Sequence, residues 1–324
     1  MNFDERLEYF GKNYDTLCFK FLGSGRKEYI GNKDLSCRFC GKNEPDVTFR
    51  TIAHAVPEFL GNKQLILRNE CDACNEFFSN NLEDHLDKFT KPYRTSAQIK
   101  GKKKVPSNKS KDKRTRFDFK PGDKSIIVSP EDSELTDIDK ENKTLTYKFE
   151  IEPHIPAAVY KCLVKIGLSV IEESELDNFE YTIRWILTKD HSVEFLNPLL
   201  LTQSFVPGPR PNRELAVLVL KKRDLVSTKP SYLLVVGFGN VVFQLILPSS
   251  LDSLLNRYEI PLMPLPFERD WPYGAIRSDI IDLSSHEHMR DKVVPMKFSA
   301  GRIREIPELK GKSIDELRKK SQHI

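Results

Sequence analysis

The 324-residue sequence contains no apolar run approaching the roughly 20 residues needed to span a bilayer. Its first residues, MNFDERLEYF, carry acids where a secretory signal would carry bases and then an apolar stretch. No internal repeat is visible, and the C-terminal half shows neither a nucleophile triad nor a phosphate-binding glycine loop. GFGN at 237–240 is a lone glycine pattern between strand-like runs and reads as a turn. These absences leave a soluble cytoplasmic protein, away from any membrane, as the expectation. With 39% hydrophobic and 30% charged residues the chain cannot be mainly disordered. Its length suffices for two domains of about 100–200 residues each.

Net charge is only +4, yet it is unevenly spread. Residues 1–120 hold 24 Lys and Arg against 17 Asp and Glu, and the remainder holds 27 against 30. The basic half is the N-terminal one, and a positive region attracts phosphate backbones by releasing their counterions. Within it, KGKKKVPSNKSKDKRTR (100–116) has seven Lys, two Arg and one Asp with no periodic apolar residue, which predicts a flexible basic linker or loop.

Cysteine is scarce, and its placement is informative. Of six cysteines, Cys37, Cys40, Cys71 and Cys74 form two CxxC pairs, while Cys18 and Cys162 stand alone and read as small buried hydrophobes. Two residues between thiolates form a knuckle whose sulfurs both face one tetrahedral ion, so the pairs predict a structural Zn²⁺ site. The second pair begins 31 residues after Cys40, further than a plain zinc ribbon requires, so something is inserted between the knuckles.

The insert reads as two strands, VTFRTIAHAV (47–56) and QLILRNE (64–70), around a PEFLGN turn. The second knuckle then opens a helix, CNEFFSNNLEDHLDKF. At about 100° per residue, Phe78, Leu82, Leu86 and Phe89 fall within about 60° of Asn75, so that asparagine starts the apolar face. A lone histidine on an apolar strand is usually a core residue, but His54 stands between two knuckles, and a neutral imidazole can take a proton from water.

CRFC, AHAVPEFLGN and NECDACN together make the 37–89 stretch resemble the HNH endonuclease family in its ββα-metal form with a zinc ribbon. The resemblance implies a metal-dependent nuclease of bacterial type that hydrolyses phosphodiester bonds in DNA, double-stranded DNA being the expected substrate. It implies His54 as general base, Asn75 as ligand to a catalytic Mg²⁺ or Mn²⁺, and Asn69, with Asn62 as substitute, as the residue orienting His54. Where many members carry an acid before the histidine, Ala53 stands here, so substrate phosphate, waters, or an acid such as Glu83 or Glu70 is expected to complete the metal shell. A non-catalytic zinc-ribbon module binding nucleic acid or protein is the alternative reading, and Ala53 favours it.

The expected fold class is α+β: an N-terminal zinc-stapled ββα-metal module (1–99), the basic linker (100–140) and a C-terminal α+β domain (141–324). Residues 1–30 should cover one side of the zinc module. In the C-terminal domain, IPAAVYKCLVKIGLSVI predicts a buried helix from Pro156. NFEYTIRWIL, ELAVLVL and SYLLVVGFGNVVFQLILP predict strands, the last a hairpin turning at 237–240, and SIDELRKK predicts a short helix from its Ser313/Glu316 capping box. His286 and His288, two apart, are expected on a surface loop. A large appended domain on a toxic nuclease suggests a gate, so an activating ligand or protein partner, self-association into a homo-oligomer, and a role in antiviral defence are expectations that follow. If the basic stretch tracks phosphates, neutralising its lysines flattens the salt dependence of DNA binding by about 0.9 in log–log slope for each phosphate released, measured by anisotropy titration across salt concentrations.

Overall fold

The computed structural model describes residues 2–23, 25–34, 36–120, 124–130, 133–209, 212–224, 228–252, 263–266 and 271–299. The helix expected in SIDELRKK lies outside them. The chain opens with α1 (Phe3–Asn13), β1 (Tyr14–Leu22) and β2 (Glu28–Ile30), followed by β3 (Ala53–His54), β4 (Leu65–Leu67), α2 (Asp72–Phe78) and α3 (Asp84–Ser96). Next come β5 (Asn108–Lys109), β6 (Arg116–Lys120), β7 (Lys124–Val128), β8 (Thr136–Asp139) and β9 (Thr144–Glu150). The rest consists of α4 (Pro156–Val170), α5 (Glu180–Ile186), β10 (Leu200–Phe205), β11 (Asn212–Lys222), β12 (Tyr232–Gly239), β13 (Val241–Ile246), β14 (Arg277–Asp282) and β15 (Val293–Ser299). The fold is α+β.

A six-stranded antiparallel sheet, ordered β1-β11-β12-β13-β10-β14, forms the largest layer. Every residue of β12 and β13 is buried, because both faces are covered. Leu234, Val236, Phe238, Phe243 and Leu245 alternate onto one face and join the main core, while Leu233, Val235, Val242 and Ile246 face the other way. The expected hairpin is present: Phe238 pairs with Val241, leaving Gly239 and Asn240 as the turn, with Gly239 at φ +54°. Helix α4 is buried throughout and lies against this sheet through Gly167, where a Cβ would stand 3.0 Å from Leu247. From the zinc-bearing segment, α3 reaches the same face, with Phe89 and Tyr93 ring centroids 5.8 and 6.5 Å from that of Phe243. One hydrophobic core therefore runs from Cys37 and Phe78 to Phe243 and Leu247.

Several elements differ from expectation. NFEYTIRWIL is not a strand but a 3₁₀ turn (Glu173–Phe179) running into α5. Its aromatic and β-branched residues favour strands locally, yet Phe179, Thr182, Ile183, Trp185 and Ile186 are spaced for one helical face, and burying that face outweighs propensity. Residues 1–30 do not simply cover the zinc module. The rings of Phe10 and Tyr14 pack on the outer face of the large sheet, and β1 pairs with β11 as its edge strand. In VTFRTIAHAV only Ala53–His54 is strand, because the Asp72 carboxylate accepts the N–H groups of Arg50 (3.1 Å) and Thr51 (2.7 Å) that a ladder would need. The basic stretch is not a free tether. Asn108–Lys109 pairs with β6, and Asn108, Ser110 and Thr115 are buried, while Lys102, Lys103 and Lys104 are exposed.

Candidate zinc centre and the HNH segment

The four sulfurs of Cys37, Cys40, Cys71 and Cys74 lie within 4.8 Å of one another. Cys40 and Cys71 Sγ are 3.8 Å apart, the edge of about 3.8 Å that a tetrahedron with zinc–sulfur bonds of ~2.3 Å requires. This donor set fits a structural zinc ion. Local geometry prepares the knuckles: Gly41, at φ +70°, lets its N–H turn back to the Cys37 carbonyl at 2.8 Å. A hydrogen bond from Cys74 stabilises the Cys37 thiolate, bringing its pKa down to about 4, while Cys74 itself is pushed up. Burial pushes the Cys71 thiol up to about 11. Thiols crowded in this way hold protons between them that a divalent cation displaces.

The first knuckle is also a joint. Its Arg38 side chain enters the protein, where Nη1 donates to the carbonyls of Leu168 (2.7 Å) and Ile171 (2.9 Å) at the end of α4, and Nη2 to Glu173 at 2.7 Å. A guanidinium there satisfies carbonyls that the helix end leaves without partners. Asn69 donates to the same Glu173 carboxylate at 2.8 Å. The asparagine expected to orient His54 thus engages Glu173 through its amide nitrogen. Asn62, the substitute, is fully occupied as a backbone clamp: it donates to the Val56 and Leu65 carbonyls and accepts from Gln64 and Leu65 N–H.

His54 sits on β3, the edge strand of the sheet β2-β4-β3, paired with Ile66. It is half-buried, and burial lowers its pKa below the usual value, opposed by Glu58 and reinforced by Lys165, Lys27 and Lys102. Asn75 is half-buried in α2, and its carboxamide makes no hydrogen bond among the described residues. Ala53 is 1% exposed and offers no ligand.

Glu83 closes a π-helical turn (Ser79–Glu83) between α2 and α3, which the uniform 100° spacing did not foresee. Its Oε1 lies 3.8 Å from Lys165 Nζ. Glu70, completely buried, lies 3.0 Å from the same ammonium, which also donates to the His54 carbonyl at 3.3 Å. Lys165 belongs to α4, 111 residues from His54 in the chain, and was missed by sequence reasoning. The available signal was a lysine on the apolar face of a helix, which requires a buried acceptor. Burial raises the Glu70 and Glu83 pKa values, and their charges in turn raise that of Lys165 against its own desolvation. His286 and His288 are exposed, as expected, and Cys162 is buried.

Two knuckles 31 residues apart, a short strand pair carrying His54, and a helix opening at the second knuckle form one contiguous unit. Residues 37–90 match the HNH endonuclease family model. Neither curated proteins nor solved structures gave a match. The HNH segment indicates a nuclease acting on nucleic acid, and no helix among the described residues is long and apolar enough to cross a membrane.

Two outcomes follow from this HNH segment. Purified protein carries one zinc per chain by elemental analysis, and Cys71→Ser abolishes it with loss of cooperative thermal unfolding of the segment. Lys165→Met leaves Glu70 buried without a cation and costs about 3–5 kcal/mol in denaturant titration. Glu70 then has a folded pKa above its unfolded one, so the folded state binds more protons and the variant loses stability as pH rises through that folded value. Adding Glu70→Gln recovers part of the loss.

Proposed function

We propose that the chain is an HNH endonuclease hydrolysing DNA phosphodiester bonds, with His54 as general base and Asn75 as protein ligand to a catalytic Mg²⁺ or Mn²⁺. The observation that carries this reading is a half-buried histidine, its pKa lowered by burial, on an edge strand inside the matched segment, which also holds a thiol cluster that fits structural zinc. Desolvation favours the neutral imidazole, the form that accepts a proton from water, and the exposed Lys27 and Lys102 near it favour an approaching phosphate. Asn75 offers a carboxamide oxygen that takes no hydrogen bond among the described residues. Mg²⁺ keeps several waters and takes phosphate oxygens, so one protein oxygen is a sufficient foothold, and the bound ion would offset charge on the phosphate. Glu83 and Glu70, paired with Lys165, serve the scaffold in this reading.

The C-terminal region acts as the gate. Its α4 touches the His54 carbonyl through Lys165 and the first knuckle through Arg38, so a ligand, protein partner or second copy that shifts α4 shifts the base. Such gating suits a cytoplasmic antiviral effector held inactive until triggered. The second reading, a zinc module that binds nucleic acid without cutting it, draws support from Ala53 and from the pairing of both candidate acids with lysine.

Zinc-loaded protein with Mg²⁺ or Mn²⁺ should cut double-stranded DNA, and His54→Ala should lower the rate by 10²–10⁴-fold, the range for loss of a general base. Because burial lowers the pKa of His54, the acidic limb of the pH–rate profile should fall below about pH 6.5. Unchanged cutting by His54→Ala removes the base assignment, and metal-dependent binding without any product selects the second reading.

A further inference from the structure

Across the small sheet, Tyr29 on β2 is paired with Ile66 on β4, and Ile66 with His54 on β3. Partners in register project from the same face, so Tyr29, Ile66 and His54 form one row, while Leu65 and Leu67 project oppositely into the core. Two strand spacings separate Tyr29 from His54, about 10 Å. Arg68 lies in the turn just past β4, and its guanidinium lies over the Tyr29 ring, 5.0 Å from the centroid. Lys27, immediately before β2, is exposed. Tyr29 is 49% exposed and belongs to no core cluster.

A tyrosine flanked by two cations and aligned with the candidate base is an arrangement suited to a polynucleotide: bases stack on exposed rings while cations take the phosphates. At ~3.4 Å per nucleotide along a stacked strand, about 10 Å is a reach of roughly three nucleotides. A paired base inside a duplex presents no free face to a ring, whereas an unpaired one does.

We propose that Tyr29 stacks on an unpaired base close to the phosphate held at His54, with Arg68 and Lys27 on flanking phosphates, so that duplex DNA interrupted by unpaired nucleotides is preferred over blunt duplex. This rests on the HNH nuclease reading and assigns its substrate class. The charges flanking Tyr29 match a nucleic acid, and the row of paired residues sets the direction in which the strand crosses the sheet.

The test uses the full-length, zinc-loaded His54→Ala protein, so that binding is read without cleavage. Fluorescence anisotropy compares a blunt duplex with a duplex of equal length carrying a short single-stranded gap. The gapped probe should bind at least about tenfold more tightly, the scale of one base–aromatic stack. Tyr29→Ala should remove that difference while Tyr29→Trp retains it, which separates stacking from folding. Arg68→Gln should weaken both probes and reduce the log–log salt slope by about 0.9 on the duplex. Equal affinity for the two probes, a gap preference that survives Tyr29→Ala, or loss in Tyr29→Trp equal to that in Tyr29→Ala overturns the proposal. Cleavage by wild-type protein, assayed separately, tests the nuclease reading, so absent cutting with an intact Tyr29-dependent preference refutes that reading alone.

Discussion

An ammonium group removed from water must be surrounded by oxygens, and Lys165 meets that demand with Glu70, Glu83 and the His54 carbonyl. These three acceptors come from three places in the HNH segment: just before the second knuckle, the π-helical turn, and the edge strand. The lysine comes from a different part of the chain. Separating the two parts would leave a charge uncompensated on each side, so the strand, the helix and α4 are held in one arrangement. Such a cluster contributes little net stability compared with apolar packing, but it penalises any other arrangement strongly.

The knuckles supply a second tie. A segment with two- and three-residue strands has little ladder of its own, and four thiols placed to hold one ion would add to the core it shares with the rest of the chain. Arg38, inside the first knuckle, caps α4, so order at the zinc site extends to the helix that covers the large sheet. The aromatic rings of Phe89 and Tyr93 against Phe243 complete the connection through apolar contact. Together these contacts join the C-terminal region to the zinc-bearing segment at three places.

Much of this was legible along the chain because it depends on neighbours in sequence. The CxxC spacing specified the thiol cluster, since two intervening residues allow few other geometries. Helix α4 announced itself through Pro156 and its apolar periodicity, and the β12–β13 hairpin through its alternation and Gly239. Errors arose where distant residues decide. Asp72 removes backbone donors from the predicted first strand, the packing of Trp185 and Ile183 makes a helix from β-prone residues, and a π turn interrupts the helix expected to run on from the second knuckle. The Glu173 partner of Asn69, 104 residues away, was not visible beside it.

By itself the sequence determined the chemistry of the parts: soft thiolates paired for a tetrahedral ion, one imidazole between them, a basic N-terminal half and an apolar helix carrying unexplained lysines. Tertiary structure alone decided the partnerships, namely Lys165 with Glu70 and Glu83, Arg38 with the end of α4, and Tyr29 in register with His54. The reason is physical. Local spacing constrains groups within a turn or a knuckle, whereas a buried charge and a sheet register are satisfied only by groups that the folding of the whole chain brings within a few ångströms.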